Sequence, residues 1–102
     1  MAATMKILTS TDRKKLRGLA HHLKPLVMIG QKGLSENVVD ATEAALLEHE
    51  LIKVKFLDFK EDRKNLSAEL SKKTESTLVG LVGNTLMLYK QNPQPEKRKI
   101  VI

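Results

Sequence analysis

Residues 26–39 read LVMIGQKGLSENVV, and the elements on either side follow from this stretch. Four apolar residues, 26–29, form a short continuous run that is typical of a strand buried on both faces. The polar loop GQKG follows, and Ser35 then stands where the N-terminal cap of a helix is expected. The stretch therefore predicts a strand, a glycine loop and a helix over roughly 35–49.

The segment that precedes this stretch predicts a helix over 10–23, capped by Ser10 or Thr11 and ended by the Lys24-Pro25 pair. Its leucines and alanine recur at helical spacing, which predicts a buried stripe. The members of the stripe are Leu16, Leu19, Ala20 and Leu23.

The remaining chain predicts three strands and a weaker helix. Residues 51–58 alternate between apolar and basic side chains, as in a half-buried strand. Residues 63–76 suggest a third helix, and Gly83-Asn84 between two apolar runs indicates a hairpin. The order α-β-α-β-α-β-β predicts an α/β fold: a single two-layer domain with a mixed four-stranded sheet. We expect the domain to cover 5–92 and a basic tail to cover 93–102.

Composition excludes several classes of function. The 102 residues include no cysteine, which removes disulfides, thiol catalysis and the usual structural zinc sites. No apolar run approaches the roughly 20 residues of a membrane span, and we expect a cytoplasmic monomer that makes no membrane contact. His21 and His22 are adjacent and cannot face one point on a helix, while His49 falls on an apolar helix face. No nucleophile–base set or metal spacing is present, so we expect no enzymatic activity, no metal and no cofactor.

Charge is segregated along a chain of net charge +6. Residues 6–24 are strongly basic, whereas 35–50 hold five acidic and no basic residues. Around the first helix, Lys14, Arg17, His21 and Lys24 fall within one arc opposite the leucine stripe. A basic stripe of this kind is typical of a phosphate-binding face, although many such stripes are only solvated surface.

The GQKG loop suggests a clamp for a phosphate backbone. Glycine allows positive φ or close approach of a ligand, and a GxxG loop of the KH type holds about four nucleotides by their backbone. The motif alone is weak, because Gly80 and Gly83 share the same spacing within an apolar hairpin. GQKG differs from that pair in being polar, following a strand and preceding a capped helix, with Lys32 placed to reach a phosphate.

Two blocks together resemble the CRM-domain family, specifically its stand-alone bacterial YhbY type. They are LTSTDRKKLRGLAHHLKPLVMIGQKGLSENVV at 8–39 and LVGLVGNTLMLYKQN at 78–92. The resemblance spans roughly 6–92. It implies a fold similar to the C-terminal domain of translation initiation factor 3, and it implies RNA binding. Plant members act in group II intron splicing, and bacterial members associate with precursors of the large ribosomal subunit.

The resemblance also implies that Gly30, Gln31, Lys32 and Gly33 form the RNA loop. Basic residues nearby are then expected to add contacts: Arg13, Lys14, Arg17, His21, Lys24, Lys53 and Lys55. The expected partners are large-subunit ribosomal RNA precursors and the pre-ribosomal particle. An alternative function is a protein–protein adaptor in ribosome assembly that docks through the acidic face of the second helix. That face, which includes Glu36, Asp40, Glu43 and Glu50, could equally serve only solubility.

Overall fold

The computed structural model describes residues 8–59 and 61–102. Residues 5–7 and Lys60, which the sequence prediction included in the domain, lie outside the described residues, as do residues 1–4. The elements follow the predicted order and are α1 (Ser10–Ala20), β1 (Pro25–Ile29), α2 (Glu36–His49), β2 (Leu51–Phe56), α3 (Arg63–Lys73), β3 (Thr77–Val82), β4 (Thr85–Tyr89) and a short 3-10 turn (Pro95–Lys97).

The four strands form one mixed sheet in the order β1-β2-β4-β3. β1 and β2 run parallel, because α2 carries the chain back across the sheet between them. β4 is antiparallel to both of its neighbours, and the Gly83-Asn84 turn joins it to β3 as predicted. Gly83 has φ +59, the left-handed conformation that such a tight turn requires of glycine. The α/β class and the mixed four-stranded sheet are thus confirmed.

Helices cover both faces of the sheet, so the expectation of two layers is wrong. One apolar cluster joins Leu46 of α2 and Leu70 of α3 to the sheet residues Val27, Ile29, Ile52, Val54, Phe56, Leu86 and Leu88. A second cluster joins Leu16 and Ala20 of α1 to Leu51, Val79, Met87 and Tyr89. Because successive residues of a strand point to opposite faces, α1 lies on the face opposite α2 and α3.

The helix ends follow their caps and differ slightly from the prediction. Thr9, rather than Ser10 or Thr11, caps α1: its hydroxyl accepts from the Asp12 N–H, and the Asp12 carboxylate accepts from the Thr9 N–H. α1 ends at Ala20, three residues earlier than predicted, because the Leu23 N–H turns back to the Ala20 carbonyl. Ser35 caps α2 as predicted, with its hydroxyl accepting from the Val38 N–H at 3.3 Å.

The burial predicted for side chains of α1 and at the end of α2 is wrong. Leu19 and Leu23 are 43% and 39% exposed, since only Leu16 and Ala20, one turn apart, face the sheet. Glu50, which the helical pattern assigns to a polar surface, is completely buried just beyond the end of α2.

The buried Glu50 carboxylate fastens the C-terminal tail to the domain. It accepts hydrogen bonds from the backbone N–H groups of Asn92 (2.7 Å), Lys99 (2.6 Å) and Ile100 (3.0 Å). Ile100 and Ile102 then pack against the α1 cluster. The apolar end of the tail therefore docks on the body of the domain.

Candidate nucleic-acid interface

The GQKG loop is a closed turn at the carboxyl end of the edge strand β1. The Gly33 N–H donates to the Gly30 carbonyl at 3.0 Å, which fixes the turn, and Gln31 and Lys32 are exposed at its tip. Within the described residues, the amide N–H groups of Gln31 and Lys32 have no acceptor. Adjacent free N–H groups in a turn form a concavity that favours an anion. The loop therefore offers two backbone donors and one ammonium group.

The two glycines of the loop have different structural roles. Gly33 has φ +64, and a methyl group there would lie 3.6 Å from the ring of Phe59, so the backbone conformation rather than space favours glycine. Gly30 has no positive φ, and a Cβ built on it meets nothing within 4 Å. Neither conformation nor packing requires glycine at position 30. Its bare backbone faces open space, where a ligand could approach closely.

The loop precedes the capped helix α2 without forming part of its N-terminus. Leu34 and Ser35 separate Gly33 from the first residue of α2, and the Gly33 N–H is already used within the turn. Glu36 adds an acidic side chain to the first helical turn. The donors of the loop are therefore those of the turn itself, and the loop does not open the helix directly.

Lys53 and Lys55 lie beside the strand that leads into this loop. They alternate with Ile52, Val54 and Phe56 along β2, so they occupy the α1 face of the sheet and are half-buried. Lys53 is opposite Pro25, and Lys55 is opposite Met28. Among the described residues, no carboxylate lies within 4 Å of the ammonium group of either lysine. Neither lysine is therefore neutralised by a carboxylate of the described chain.

Two apolar side chains that the sequence analysis did not select stand next to these lysines. Leu26 and Met28 of β1 are 53% and 54% exposed, so the expectation that this strand is buried on both faces is wrong. Among the described residues, the buried cluster under α1 takes sheet residues from β2, β3 and β4 and none from β1, the edge strand whose Leu26 and Met28 stay exposed. We call Leu26, Met28, Lys53 and Lys55 the open sheet face. The apolar sequence of an edge strand does not indicate which strands a helix will pack on, so the exposure of these side chains was not predictable from it.

The arginines of α1 lie over the opposite edge of the sheet. Arg13 Nη1 donates to the Leu78 carbonyl at 2.7 Å, and the Arg17 side chain lies within 4 Å of a Cβ built on Gly80. Both partners belong to β3, which is three strand spacings, or about 14 Å, from β1. Arg13 therefore serves the fold at least in part. The structure places these arginines apart from the loop and does not gather all of the predicted basic residues into one cluster.

The other basic residues selected from the sequence are exposed. Lys14 lies on α1, and His21, Lys24 and Lys32 lie on the segments that follow α1 and β1. The His21 ring stands edge-on to that of His22, with ring centroids 5.4 Å apart. Exposed ammonium groups on flexible stems are suited to contacts with phosphates rather than with bases.

The described residues contain no cluster of three or more His, Cys, Asp or Glu side chains that could hold a metal ion. His49, predicted to lie on an apolar face, has 42% of its side chain exposed. Burial, followed by the nearby charge of Glu50, raises the pKa of Tyr89 to about 12, which keeps the phenol neutral. None of the described helices combines the length and apolar character needed to cross a bilayer.

The fold and the loop together define the class of protein. It is a small α/β domain of three helices and a mixed four-stranded sheet, with a GxxG loop between a strand and a helix. The solution structure of a Staphylococcus aureus protein described as hypothetical has this fold. It superimposes with a TM-score of 0.77 at 33% identity, covering 93% of this chain and 100% of that one.

Sequence comparison assigns the family. The model of the CRS1 / YhbY (CRM) domain matches residues 8–90. A "probable RNA-binding protein" of Pseudomonas aeruginosa is 41% identical over 91 residues, which are 88% of each chain. An "RNA-binding protein" of Haemophilus influenzae is 38% identical over 91 residues, covering 88% of this chain and 92% of that one. The chain belongs to the CRS1/YhbY (CRM) domain family, which confirms the resemblance drawn from its sequence.

Proposed function

We propose that this protein is a non-enzymatic RNA-binding domain that holds the sugar–phosphate backbone at its GQKG loop. The observation that carries the proposal is Gly30. The fold has no need of a glycine there, yet the partly exposed bare backbone lies beside two free N–H groups and the Lys32 ammonium, with open space where a Cβ would stand. The names of the relatives, which describe RNA-binding proteins, support the same function.

The contacts would come mainly from one side of the molecule. Lys32 stands at the tip of the loop, and Lys53 and Lys55 stand beside the strand that enters it. Contacts of this kind neutralise phosphates and fix the register of the RNA without reading its sequence. Lys14, Arg17, His21 and Lys24 would extend the path across α1 toward the opposite edge, with Arg13 shared between the fold and the RNA.

We propose further that the RNA is a precursor of the large ribosomal subunit and that binding aids assembly of the pre-ribosomal particle. In this role the protein acts as a cytoplasmic monomer. The proposal extends the family resemblance to this chain, and its net charge of +6 suits a polyanionic particle. Sedimentation of a cell lysate tests it: the protein should migrate with large-subunit precursors, and migration only with free protein would contradict it.

A charge placed in the loop tests the clamp directly. Gly30→Asp puts a carboxylate where the phosphate is expected, and the open space around Gly30 lets the fold accept the side chain. We expect its affinity for large-subunit RNA fragments to fall at least about tenfold, as when a repulsive charge replaces a favourable contact. The measurement is fluorescence anisotropy with labelled RNA, together with a thermal melt of each protein.

Asn65→Asp is the matched control, because it adds the same charge at an exposed position of α3 on the other face of the sheet. It should change the affinity by less than about twofold. Equal losses in both variants would mean that net charge alone matters. Unchanged RNA binding by Gly30→Asp would exclude the loop as an RNA contact. It would favour the alternative function, a protein–protein adaptor that docks through the acidic face of α2.

Salt dependence counts the phosphates involved. Suppose that one phosphate is neutralised by each of Lys24, Lys32, Lys53 and Lys55. A plot of the logarithm of the binding constant against the logarithm of salt concentration should then have a slope of about −3 for single-stranded RNA. A slope near zero would refute electrostatic backbone binding.

A further inference from the structure

The open sheet face has an unusual composition for a solvent-exposed surface. Two half-exposed apolar side chains, Leu26 and Met28, stand beside two lysines on the neighbouring strand. Elsewhere on the sheet the α1 face is filled by buried residues such as Leu51, Val79 and Met87. The cluster under α1 is built on β2, β4 and β3, and at the β1 edge of this face Leu26 and Met28 remain exposed. A ligand for this surface must therefore offer an apolar face and negative charge together.

We propose that the open sheet face holds unpaired bases of a single-stranded RNA whose backbone is bound by the GQKG loop. The inference rests on the proposed function and specifies its ligand as single-stranded rather than duplex RNA. Leu26 and Met28 contact the faces of the bases, and Lys53 and Lys55 contact the flanking phosphates.

Continuity with the loop supports this assignment. Met28 and Gly30 are separated by one residue of extended chain, a distance of about 6.6 Å between their Cα atoms. The Leu57 N–H also donates to the Ile29 carbonyl at 2.8 Å, which ties the end of β2 to the start of the loop. A strand clamped at Gly30 can therefore reach Met28 with a base of the same or an adjacent nucleotide.

The chemistry of the four side chains favours bases over a helical backbone. A nucleobase has an apolar π face, and the polarisable thioether of Met28 makes favourable contacts with aromatic rings. In a duplex these faces are hidden in the base stack, whereas an unpaired strand presents them. The sugar–phosphate backbone has no flat apolar face comparable to that of a base for Leu26 and Met28 to contact. The aliphatic surface implies base contact without a strong preference among the four bases.

The small size of the patch argues against a protein partner. Stable protein interfaces bury about 800 Å² on each partner, which requires some 20–30 residues. Four side chains, two of them charged, do not supply such an area. A strand of RNA needs no more than a narrow apolar strip beside a row of cations.

The experiment compares single-stranded and duplex RNA. The probes are a labelled 12-nucleotide mixed-sequence strand and the same strand annealed to its complement. Leu26→Ser and Met28→Ser are expected to weaken binding of the single strand by about three- to tenfold, the effect of removing part of an apolar contact. Their affinity for the duplex should stay within about twofold of that of the unmodified protein. Leu47→Ser is the matched control, because Leu47 is 61% exposed on α2 on the other face of the sheet.

A photocrosslink provides a readout that needs no variant. With 4-thiouridine in the single strand, adducts of the unmodified protein should map to residues 25–30. Adducts confined to α2 or α3 would overturn the inference.

The possible failures are distinguishable. If the protein binds neither RNA, the proposed function fails and this inference fails with it. If it binds both RNAs and the serine variants bind the single strand as well as Leu47→Ser does, the inference alone is overturned and backbone clamping stands. Equal losses for single strand and duplex would also overturn it, because the substitutions would then act on phosphate binding.

Discussion

Replacing Glu50 by glutamine should destabilise the protein without any change in side-chain size. The Glu50 carboxylate is fully buried and accepts three backbone N–H groups of the tail. A glutamine oxygen can keep the two bonds to Lys99 and Ile100, but its NH₂ group would face the Asn92 N–H, donor against donor. Because Glu50 has φ +65, both residues carry the same backbone strain, and the comparison isolates the carboxylate.

The expected loss follows from these contacts. A hydrogen bond to a charged acceptor contributes about 1.5–3 kcal/mol, and a buried N–H left without a partner costs about 1–3 kcal/mol. Removing the charge recovers part of the cost of burying it, so we expect a decrease of about 2–3 kcal/mol in the free energy of unfolding. For a domain of this size that corresponds to a decrease of about 10–20 °C in Tm.

Urea denaturation at pH 7, followed by far-ultraviolet circular dichroism, measures the loss. Glu48→Gln is the control, since that side chain is 73% exposed, and its free energy of unfolding should change by less than about 0.5 kcal/mol. Equal stabilities of the two variants would refute the reasoning, because the buried carboxylate would then contribute nothing to holding the tail.

Three further predictions concern pH, the loop and α1. Tyr89 is the one tyrosine of the chain, and its phenolate absorbance should appear with a midpoint of about 12. The pKa of Tyr89 is raised above its ordinary value of 10.0, so the stability that the neutral phenol contributes is constant below pH 10 and is lost between pH 10 and 12. A titration midpoint near 10 would mean that the phenol is not buried. Gly33→Ala should lower the free energy of unfolding by about 1–2 kcal/mol through its positive φ, whereas Gly30→Ala should change it by less than about 0.5 kcal/mol; equal effects in chemical denaturation would contradict the assigned turn conformation. Arg13→Met should cost about 1 kcal/mol of stability through its lost hydrogen bond and leave a carbonyl without a partner, while Lys14→Met should be neutral; thermal melts that do not separate the two would contradict a structural role for Arg13.

Local sequence signals predicted most of the fold because each acts over a few residues. Ser35 caps α2 through the N–H three residues ahead, and the Gly83-Asn84 turn joins strands that are adjacent in the chain. Alternation in 51–56 assigned the faces of β2 correctly. Such contacts join residues that are close together in the chain, so the sequence alone suffices to find them.

The errors arose where long-range packing decides. Glu50 is buried because residues 92, 99 and 100, more than 40 positions away, return to it. Leu26 and Met28 are exposed because the buried cluster under α1 is built on the other three strands. The Phe59 ring packs next to Gly33, and Phe59 itself has φ +61, a conformation that the sequence gives no glycine to indicate. The GQKG loop was recognisable from its residues, whereas the open sheet face depends on where a helix docks.

β4 belongs to both apolar clusters, and this has a consequence for how the molecule opens. Leu86 and Leu88 enter the α2–α3 cluster, while Met87 and Tyr89 enter the α1 cluster. Neither cluster can unfold unless β4 leaves the sheet, and the other cluster then loses its β4 residues as well. We therefore expect the amide protons of β4 to exchange with solvent only through global unfolding, and the two clusters to melt in a single cooperative transition.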